Sequence, residues 1–340
     1  MPEPIEPSPQ QWDSFIKEQP RAHILQRAGW GDLKAAFGWQ VKRIALEEDG
    51  HLIAGAQVLL RPLPLKLGTM AYLPMGPYAN SDESLADLWK AIDRAARDEG
   101  AAFLKWEPGI FEGGMPDIHR WGFRESPQTV QPPNTILIDL IYGEDDLLSR
   151  MSQTTRRKVR LGERKGVTYR VGTPDDIPAF AALMETTGER NEFGVHEPDY
   201  YRMAYDLFAP DNTAALILAE NEGDLLAAEM VFKQGQTAWY LYGASANVKR
   251  NLMASYGVQW ESILWAKRHG ATSYDMWGIP DETEDELEAG FEKRTDGLWG
   301  VYGFKRGWGG HVARSVGAWD KVYNPLVYAA YWAATQLREG

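Results

Sequence analysis

The chain has 340 residues, 44% hydrophobic and 25% charged, with a formal net charge of −12. That length exceeds one ordinary domain, and two is the natural division. The acidic balance argues against coating nucleic acid by bulk electrostatics, and the absence of cysteine excludes disulfides, thiolate nucleophiles and thiolate metal sites.

The opening stretch, Met1 to Pro9, is acidic and proline-rich, without the charged-then-apolar layout of a signal peptide. No run reaches the roughly 18 apolar residues of a membrane span. A soluble, cytoplasmic protein is expected. An early helix carries Trp30 and Lys34 one turn apart on one face. Such a pair can stack on a ring and meet a phosphate, or simply be a lysine covering a core tryptophan. Asp49-Gly50 opens a hairpin into an apolar run. Ala71 to Pro77 then reads as a strand, Leu85 to Gly100 as a helix and Ala101 to Pro108 as a strand.

The same succession returns later: the turn Glu222-Gly223, a strand from Trp239 to Ser245, a helix from Tyr256 to Gly270, and a strand from Ala271 to Pro280. Gly122-Phe123-Arg124 is echoed by Gly303-Phe304-Lys305. We read one unit used twice: helix, antiparallel hairpin, strand, helix, strand and closing strands. The boundary is expected near Tyr142 to Asp146, after a strand from Thr135 to Ile141. Residues 1–146 would form the first domain and 147–317 the second. The tail, 318–340, carries an apolar helix expected to pack back on the first domain. Peripheral contact with the inner membrane surface is its alternative, disfavoured by the lack of a lysine-rich polar face.

One helix is read from Leu147 to Gly166. It carries Arg150, Arg156, Arg157, Lys158, Arg160, Arg164 and Lys165 against Glu163 alone. In so acidic a chain this is a local reversal of sign, suited to RNA phosphates or to a solvated linker. Arg190 follows a helix and offers a forked cation. Tyr240 and Tyr242 alternate with Leu241 and are expected to share one face of a strand. Glu107 and Asp275 occupy matching positions in the two units. Gly297 to Gly310 surrounds Lys305 with Trp299, Tyr302, Phe304, Trp308 and glycine-spaced turns. A lysine dried in this way suits phosphate or the oxyanion of an acyl transfer, whereas an ordinary glycine-rich hairpin would leave it solvated. The six histidines show no metal spacing and no G-x-S-x-G occurs, so neither a metal nor a serine hydrolase is expected.

The order of elements resembles the Gcn5-type N-acetyltransferase (GNAT) fold. An α+β architecture is therefore expected: a tandem pair of GNAT-like domains, each a mixed sheet flanked by helices. Acetyl-CoA enzymes of that fold hold pyrophosphate on an R/Q-x-x-G-x-G/A loop before the central helix. The corresponding loops here depart from it. Residues 74–80 place a proline where an amide donor is wanted, and residues 247–254 keep Arg250 and Ala254 but lack both glycines. Coenzyme A is disfavoured in both halves, which points to another acyl donor.

A second resemblance covers nearly the whole chain. It rests on Leu25-Gln26 with Trp30 and Lys34, Pro74-Met-Gly-Pro77, Trp106-Glu-Pro108, the basic helix ending Lys165-Gly166-Val167, Arg190, Tyr240-Leu-Tyr-Gly-Ala-Ser245, Gln259-Trp260, Asp275 with Gly278-Ile279, and Gly303-Phe-Lys-Arg-Gly-Trp-Gly-Gly310. In their order and spacing these resemble the Fem-type (FemABX) aminoacyltransferases, which build peptidoglycan cross-bridges. The resemblance implies an enzyme without a cofactor that uses aminoacyl-tRNA as co-substrate. Its acceptor would be an amine on the stem peptide of UDP-MurNAc-pentapeptide or lipid II. Lys34 and Arg190 match positions that hold the precursor's diphosphate, and Tyr242 matches a tyrosine of the substrate groove. Lys305 matches a lysine that steadies the reacting carbonyl or the tRNA end, making it the candidate catalytic residue. The residues themselves add Trp30, Tyr240 and Glu107 as substrate-binding candidates and Arg156, Arg157, Lys158 and Arg160 as a tRNA track.

The chain departs from that family in four places. Glu107-Pro108 stands for the usual Asp-Pro, and Met75 precedes Gly-Pro where arginine is common. Phe193, Gly194 and Val195 stand where a groove tyrosine is expected, and a short acidic insert, Asp281 to Glu288, replaces a long helical arm. Two other readings stay open: a GNAT-like N-acyltransferase using another acyl donor in envelope polysaccharide assembly, and a non-catalytic muramyl-peptide- or RNA-binding protein.

Overall fold

The computed structural model describes residues 3–64, 67–111, 118–191 and 194–339; Phe193, weighed above, lies outside them. In chain order the first half contains β1 (Pro4–Ile5), α1 (Pro9–Glu18), α2 (Ala28–Ala36), β2 (Gln40–Glu48), β3 (His51–Pro62), β4 (Thr69–Pro74), β5 (Tyr78–Ala79), α3 (Asp82–Asp98), β6 (Ala101–Glu107) and β7 (Arg124–Glu125). There follow β8 (Asn134–Asp139), α4 (Glu144–Arg150), α5 (Gln153–Arg164), β9 (Thr168–Val171), α6 (Ile177–Asn191), α7 (Pro198–Phe208), β10 (Ala214–Asn221), β11 (Asp224–Gln234), β12 (Thr237–Ser245), α8 (Ala254–Arg268) and β13 (Ser273–Asp275). The last elements are α9 (Glu284–Gly290), α10 (Trp299–Lys305), β14 (His311–Arg314), β15 (Trp319–Val322) and α11 (Pro325–Glu339).

Two compact units result, residues 1–131 with 314–340 and residues 132–313. The first holds a sheet of order β1-β2-β3-β4-β6-β15-β7 with β5 beside β3; the second sheet runs β14-β8-β13-β12-β11-β10-β9. The duplication read from sequence is a duplication of pairing. β2, β3 and β4 are antiparallel and β4 is parallel to β6, just as β10, β11 and β12 are antiparallel and β12 is parallel to β13. Each sheet is a mixed sheet with helices packed on it, the expected α+β class. Both hairpin turns place two successive residues at positive φ, Asp49 and Gly50 at 50° and 78°, Glu222 and Gly223 at 54° and 86°. That is the backbone of the tightest two-residue turns.

The long helix of the first unit is explained locally. Ser81 caps α3 by accepting from the Ser84 amide, Asp82 and Glu83 sit in its positive first turn, and Leu88, Trp89, Ile92 and Ala96 form its buried stripe. Burying Leu88 or Ile92 contributes about 1.5–3 kcal/mol each.

The boundary lies earlier than the sequence placed it. The strand expected to end the first domain is β8, and it pairs antiparallel with β13 of the second sheet. The first sheet is closed at the same position by β15, antiparallel to β6. Each unit thus takes its closing strand from a distant part of the chain, which linear order conceals. α11 joins the first unit, packing Tyr328 against Phe103 with ring centroids 5.2 Å apart. The expected single basic helix is two. Met151 is extended, and the Ser152 hydroxyl starts α5 by accepting from the Thr155 amide at 3.1 Å. The echo between 122–124 and 303–305 is not structural, since the first leads into strand β7 and the second lies in helix α10. Among the described residues no helix is long and apolar enough to cross a membrane.

In the second unit, α5 crosses α8 where Gly162 and Gly257 leave room for the Tyr169 ring. A Cβ at Gly257 would stand 2.0 Å from the Tyr169 hydroxyl oxygen. Gly257→Ala is expected to cost about 1–3 kcal/mol by overpacking. In a Tyr169→Ala background the same substitution should cost less. Chemical denaturation in both backgrounds checks this.

Candidate functional site

Lys305 ends α10. Trp299, Tyr302 and Lys305 recur every three residues, so all three face inward, and all are buried. The glycine-rich segment is therefore helical, through α10 and a 3-10 turn (Arg306–Trp308), rather than the run of turns read from its glycines. Gly309, at φ 80°, ends it. The Lys305 ammonium donates to the Gly278 carbonyl at 2.7 Å and to the Trp277 carbonyl at 3.3 Å, and lies 5.4 Å from the centroid of the Tyr240 ring. A lysine carries three N–H donors. Among the described residues no hydrogen-bond acceptor takes the third. The residue is only 6% exposed. Burial lowers its pKa to about 8, against the opposing pull of Asp275 and Glu229.

Two buried acid side chains, Asp275 and Glu229, lie within electrostatic reach of this ammonium. Asp275, at the end of β13, accepts from the Thr135 hydroxyl and from the Trp277 amide at 2.7 Å. Burial raises its pKa to about 6, offset by the Thr135 and Trp277 hydrogen bonds and by Lys305. Trp277 itself stands at φ 60°. A bulky side chain there costs of order 1–3 kcal/mol, so surrounding contacts must hold it. Glu229, within β11, accepts from the Tyr274 hydroxyl and from Gln259 Nε2 at 3.3 Å. Burial raises its pKa to about 8, against hydrogen bonds that favour the ionised form.

The two tyrosines of β12 do not share a face. Tyr242 pairs with Met230 and Tyr240 with Val231, leaving Leu241 as an extra residue in a β-bulge. A bulge breaks the alternation of side chains, so residues two apart point oppositely. Tyr240 faces α8 and Lys305. Tyr242 faces α7, its hydroxyl 3.2 Å from that of Tyr200, among Tyr201, Phe232 and His196. Burial raises both tyrosines' pKa.

Arg190 sits in the last turn of α6 and makes only neutral contacts. Its guanidinium donates to the Ser245 carbonyl at 2.8 Å, the Asn247 side chain at 2.7 Å and the Ser245 hydroxyl at 3.1 Å. Burial and the neighbouring Arg250 lower its pKa. Of the candidate RNA track, Arg156 is spent on the Leu148 and Ser149 carbonyls at the end of α4, and Lys158 on the Tyr256 hydroxyl at 2.9 Å. Arg157 and Arg160 are exposed with Arg164 on the outer face of α5.

In the first unit, Lys34 lies 5.1 Å over the Trp30 ring, as the one-turn spacing predicts. Trp30 is 5% exposed, so the pair is a lysine over a core tryptophan and offers no open ring for stacking. Burial first, then the Arg61 guanidinium, lowers the Lys34 pKa to about 8. Glu107 is occupied internally: it accepts from the Tyr72 hydroxyl and from the amides of Val130 at 2.5 Å and Gln131 at 3.1 Å. The loop after β4 spends its polar groups the same way, with the Met75 amide on the Glu107 carbonyl at 2.6 Å and the Gly76 carbonyl under Trp106 Nε1 at 2.6 Å.

Sequence reasoning passed over Glu229, Trp277 and Thr135. Glu229 had a legible signal: it is the one charge inside the apolar run Leu225 to Phe232. The roles of Trp277 and Thr135 lie in a backbone carbonyl and a hydroxyl donated to Asp275, which residue type does not announce.

Two mixed sheets of this pairing define a tandem GNAT-like fold. The structure superposes on a FemX crystal structure with a TM-score of 0.85, at 24% identity, covering 96% of this chain and 99% of that one. It superposes on a tandem GNAT protein of the clavulanic acid pathway with a TM-score of 0.58, at 11% identity, covering 96% and 99%. The sequence is 25% identical over 393 residues to a Staphylococcus epidermidis protein named lipid II:glycine glycyltransferase, covering 94% of this chain and 92% of that protein. Residues 8–114, 120–224 and 219–336 match the FemAB family, and the chain belongs to it.

The buried acid gives a pH signature. A free glutamate titrates at 4.5 and folded Glu229 near 8. Between those values only the folded protein holds the proton, so stability from this group is full below the lower value and is lost as pH rises through about 8. Glu229→Gln is expected to flatten the fall in melting temperature across that window. Thermal melts of both proteins over the pH series read it.

Proposed function

We propose that this protein is an aminoacyltransferase of peptidoglycan cross-bridge assembly. In this reading it takes an amino acid from aminoacyl-tRNA, in the cytoplasm, and joins it to an amine on the stem peptide of lipid II or its nucleotide-linked precursor. Support comes from membership of the FemAB family and from the named activity of the staphylococcal relative. The observation that carries the chemistry is the buried ammonium of Lys305, with two of its donors on backbone carbonyls.

The donor ester is already activated, so alignment of amine and carbonyl is most of the task. The acceptor nitrogen attacks the ester carbon, an N–C bond forms, and the carbonyl oxygen becomes an oxyanion. The remaining N–H of Lys305 donates to that oxygen, in a site where little water screens it. Collapse breaks the C–O bond to the ribose. The amine's proton leaves through the neighbouring ribose hydroxyl to the departing oxygen, so no protein base is required.

The other candidates take binding roles in this reading. Lys34 and Arg190 serve the precursor's phosphates, Arg190 being free of carboxylate partners among the described residues. Tyr242 and Tyr240 serve the two faces of β12 separately. Arg157 and Arg160 meet tRNA phosphates, with Arg156 and Lys158 holding α5 in place. Trp30 supports Lys34, and Glu107 organises the end of β6.

Lys305→Met is expected to lower transfer by about 10²–10³-fold, the usual cost of one oxyanion donor, and to leave precursor affinity within about twofold. Single-turnover transfer from a mixture of charged tRNAs to muramyl-pentapeptide acceptors, read by mass, measures it. Full activity in the variant would remove Lys305 from the mechanism. Arg157→Glu with Arg160→Glu should weaken tRNA binding and make its salt dependence shallower by about 1–2 in logarithmic slope. Titrations at several salt concentrations check both effects.

A further inference from the structure

The donor Lys305 is held by a turn of unusual construction. Its ammonium rests on two successive carbonyls, those of Trp277 and Gly278. Trp277, which supplies the first of these carbonyls, stands at φ 60°, so the peptide plane carrying that carbonyl is turned by a left-handed residue. A tryptophan does not adopt that conformation by preference; something must fix it.

The nearest fixing group is Asp275. Its Oδ1 accepts the Trp277 amide at 2.7 Å, closing a turn from a side chain to the backbone two residues on. The same oxygen accepts the Thr135 hydroxyl, which itself stands 3.2 Å from the Trp277 carbonyl. Thr135 belongs to β8, and Leu137 of the same strand, two residues on, pairs with Asp275 across the sheet. The Gly278 site is crowded as well, since a Cβ there would stand 2.5 Å from Pro132. The chain of contacts therefore runs from β8, through Thr135 and Asp275, to the Trp277 amide, and through its carbonyl to the ammonium.

We propose that Asp275 is a positioning residue for transfer: by holding the Trp277 amide it sets the two carbonyls that aim the Lys305 ammonium at the reacting carbonyl oxygen. Asp275 touches no reacting atom and moves no proton in this scheme. The inference rests on the reading of Lys305 as the oxyanion donor, and its test has an arm that needs no catalysis.

Asp275→Ala removes the acceptor, whereas Asp275→Asn keeps an oxygen toward both donors and loses only the charge. In the free protein, amide hydrogen exchange at Trp277 is expected to quicken at least tenfold in Asp275→Ala and to stay within about threefold in Asp275→Asn. In transfer assays kcat should fall at least tenfold in the alanine variant with KM for the acceptor within about twofold, and the asparagine variant should recover most of it. Thr135→Val, which leaves Asp275 in place, should quicken the same amide severalfold and carries the test if the alanine variant does not fold. Unchanged exchange and kcat in Asp275→Ala, or in Thr135→Val in its stead, would overturn the proposal. So would an asparagine variant as impaired as alanine. A fully active Lys305→Met would instead defeat the oxyanion reading, and the exchange data would still decide whether Asp275 holds the turn.

Discussion

An ammonium group buried beside two buried acid side chains, Asp275 and Glu229, is the constraint around which the second unit is organised. Removing Lys305 from water opposes its charge, and the Trp277 and Gly278 carbonyls with the fields of Asp275 and Glu229 offset that cost only in part. The cluster holds because each member is anchored by a different element: Lys305 by α10, Asp275 by β13, Glu229 by β11, Thr135 by β8. Such an arrangement gives little stability for its charge. It gives instead a donor whose position is fixed in advance, which is what the oxyanion role proposed for Lys305 demands.

The sheet pairing explains how one repeated pattern yields two different units. Both sheets run three antiparallel strands into a parallel one, and both are closed by an antiparallel strand drawn from far along the chain. At the corresponding strand ends the chemistry diverges. Glu107 is saturated by backbone amides and the Tyr72 hydroxyl, and behaves as a structural clamp. Asp275 holds a single strained amide and sits within the electrostatic reach of an ammonium. The bulge at Leu241 is specific to the second unit's central strand and sends Tyr240 toward Lys305 and Tyr242 toward α7.

Much of this was legible in the residues. The Asp49-Gly50 and Glu222-Gly223 turns and the one-turn pairing of Trp30 with Lys34 follow from local rules and stand where those rules put them, and the helix read from Leu85 begins three residues earlier, just after the Ser81 cap. Aromatic spacing around Lys305 correctly implied a dry lysine, although glycine content misled about the backbone: Trp299, Tyr302 and Lys305 at intervals of three carry a helical signal that the glycines obscure. What sequence could not carry is non-local. The exchange of closing strands moved the unit boundary, and one inserted residue in β12 overrode the period-two rule for Tyr240 and Tyr242. Glu229 was readable as a charge in an apolar strand, but its partner in space was not.

The most direct measurement is the titration of the Lys305 side-chain nitrogen in the ligand-free protein, followed by ¹⁵N NMR with Lys305→Met supplying the assignment. A midpoint near pH 8, as burial imposes, with the signal protected from rapid solvent exchange, is the predicted result. A lysine titrating at its ordinary value near 10.5 and exchanging freely with water would contradict the account.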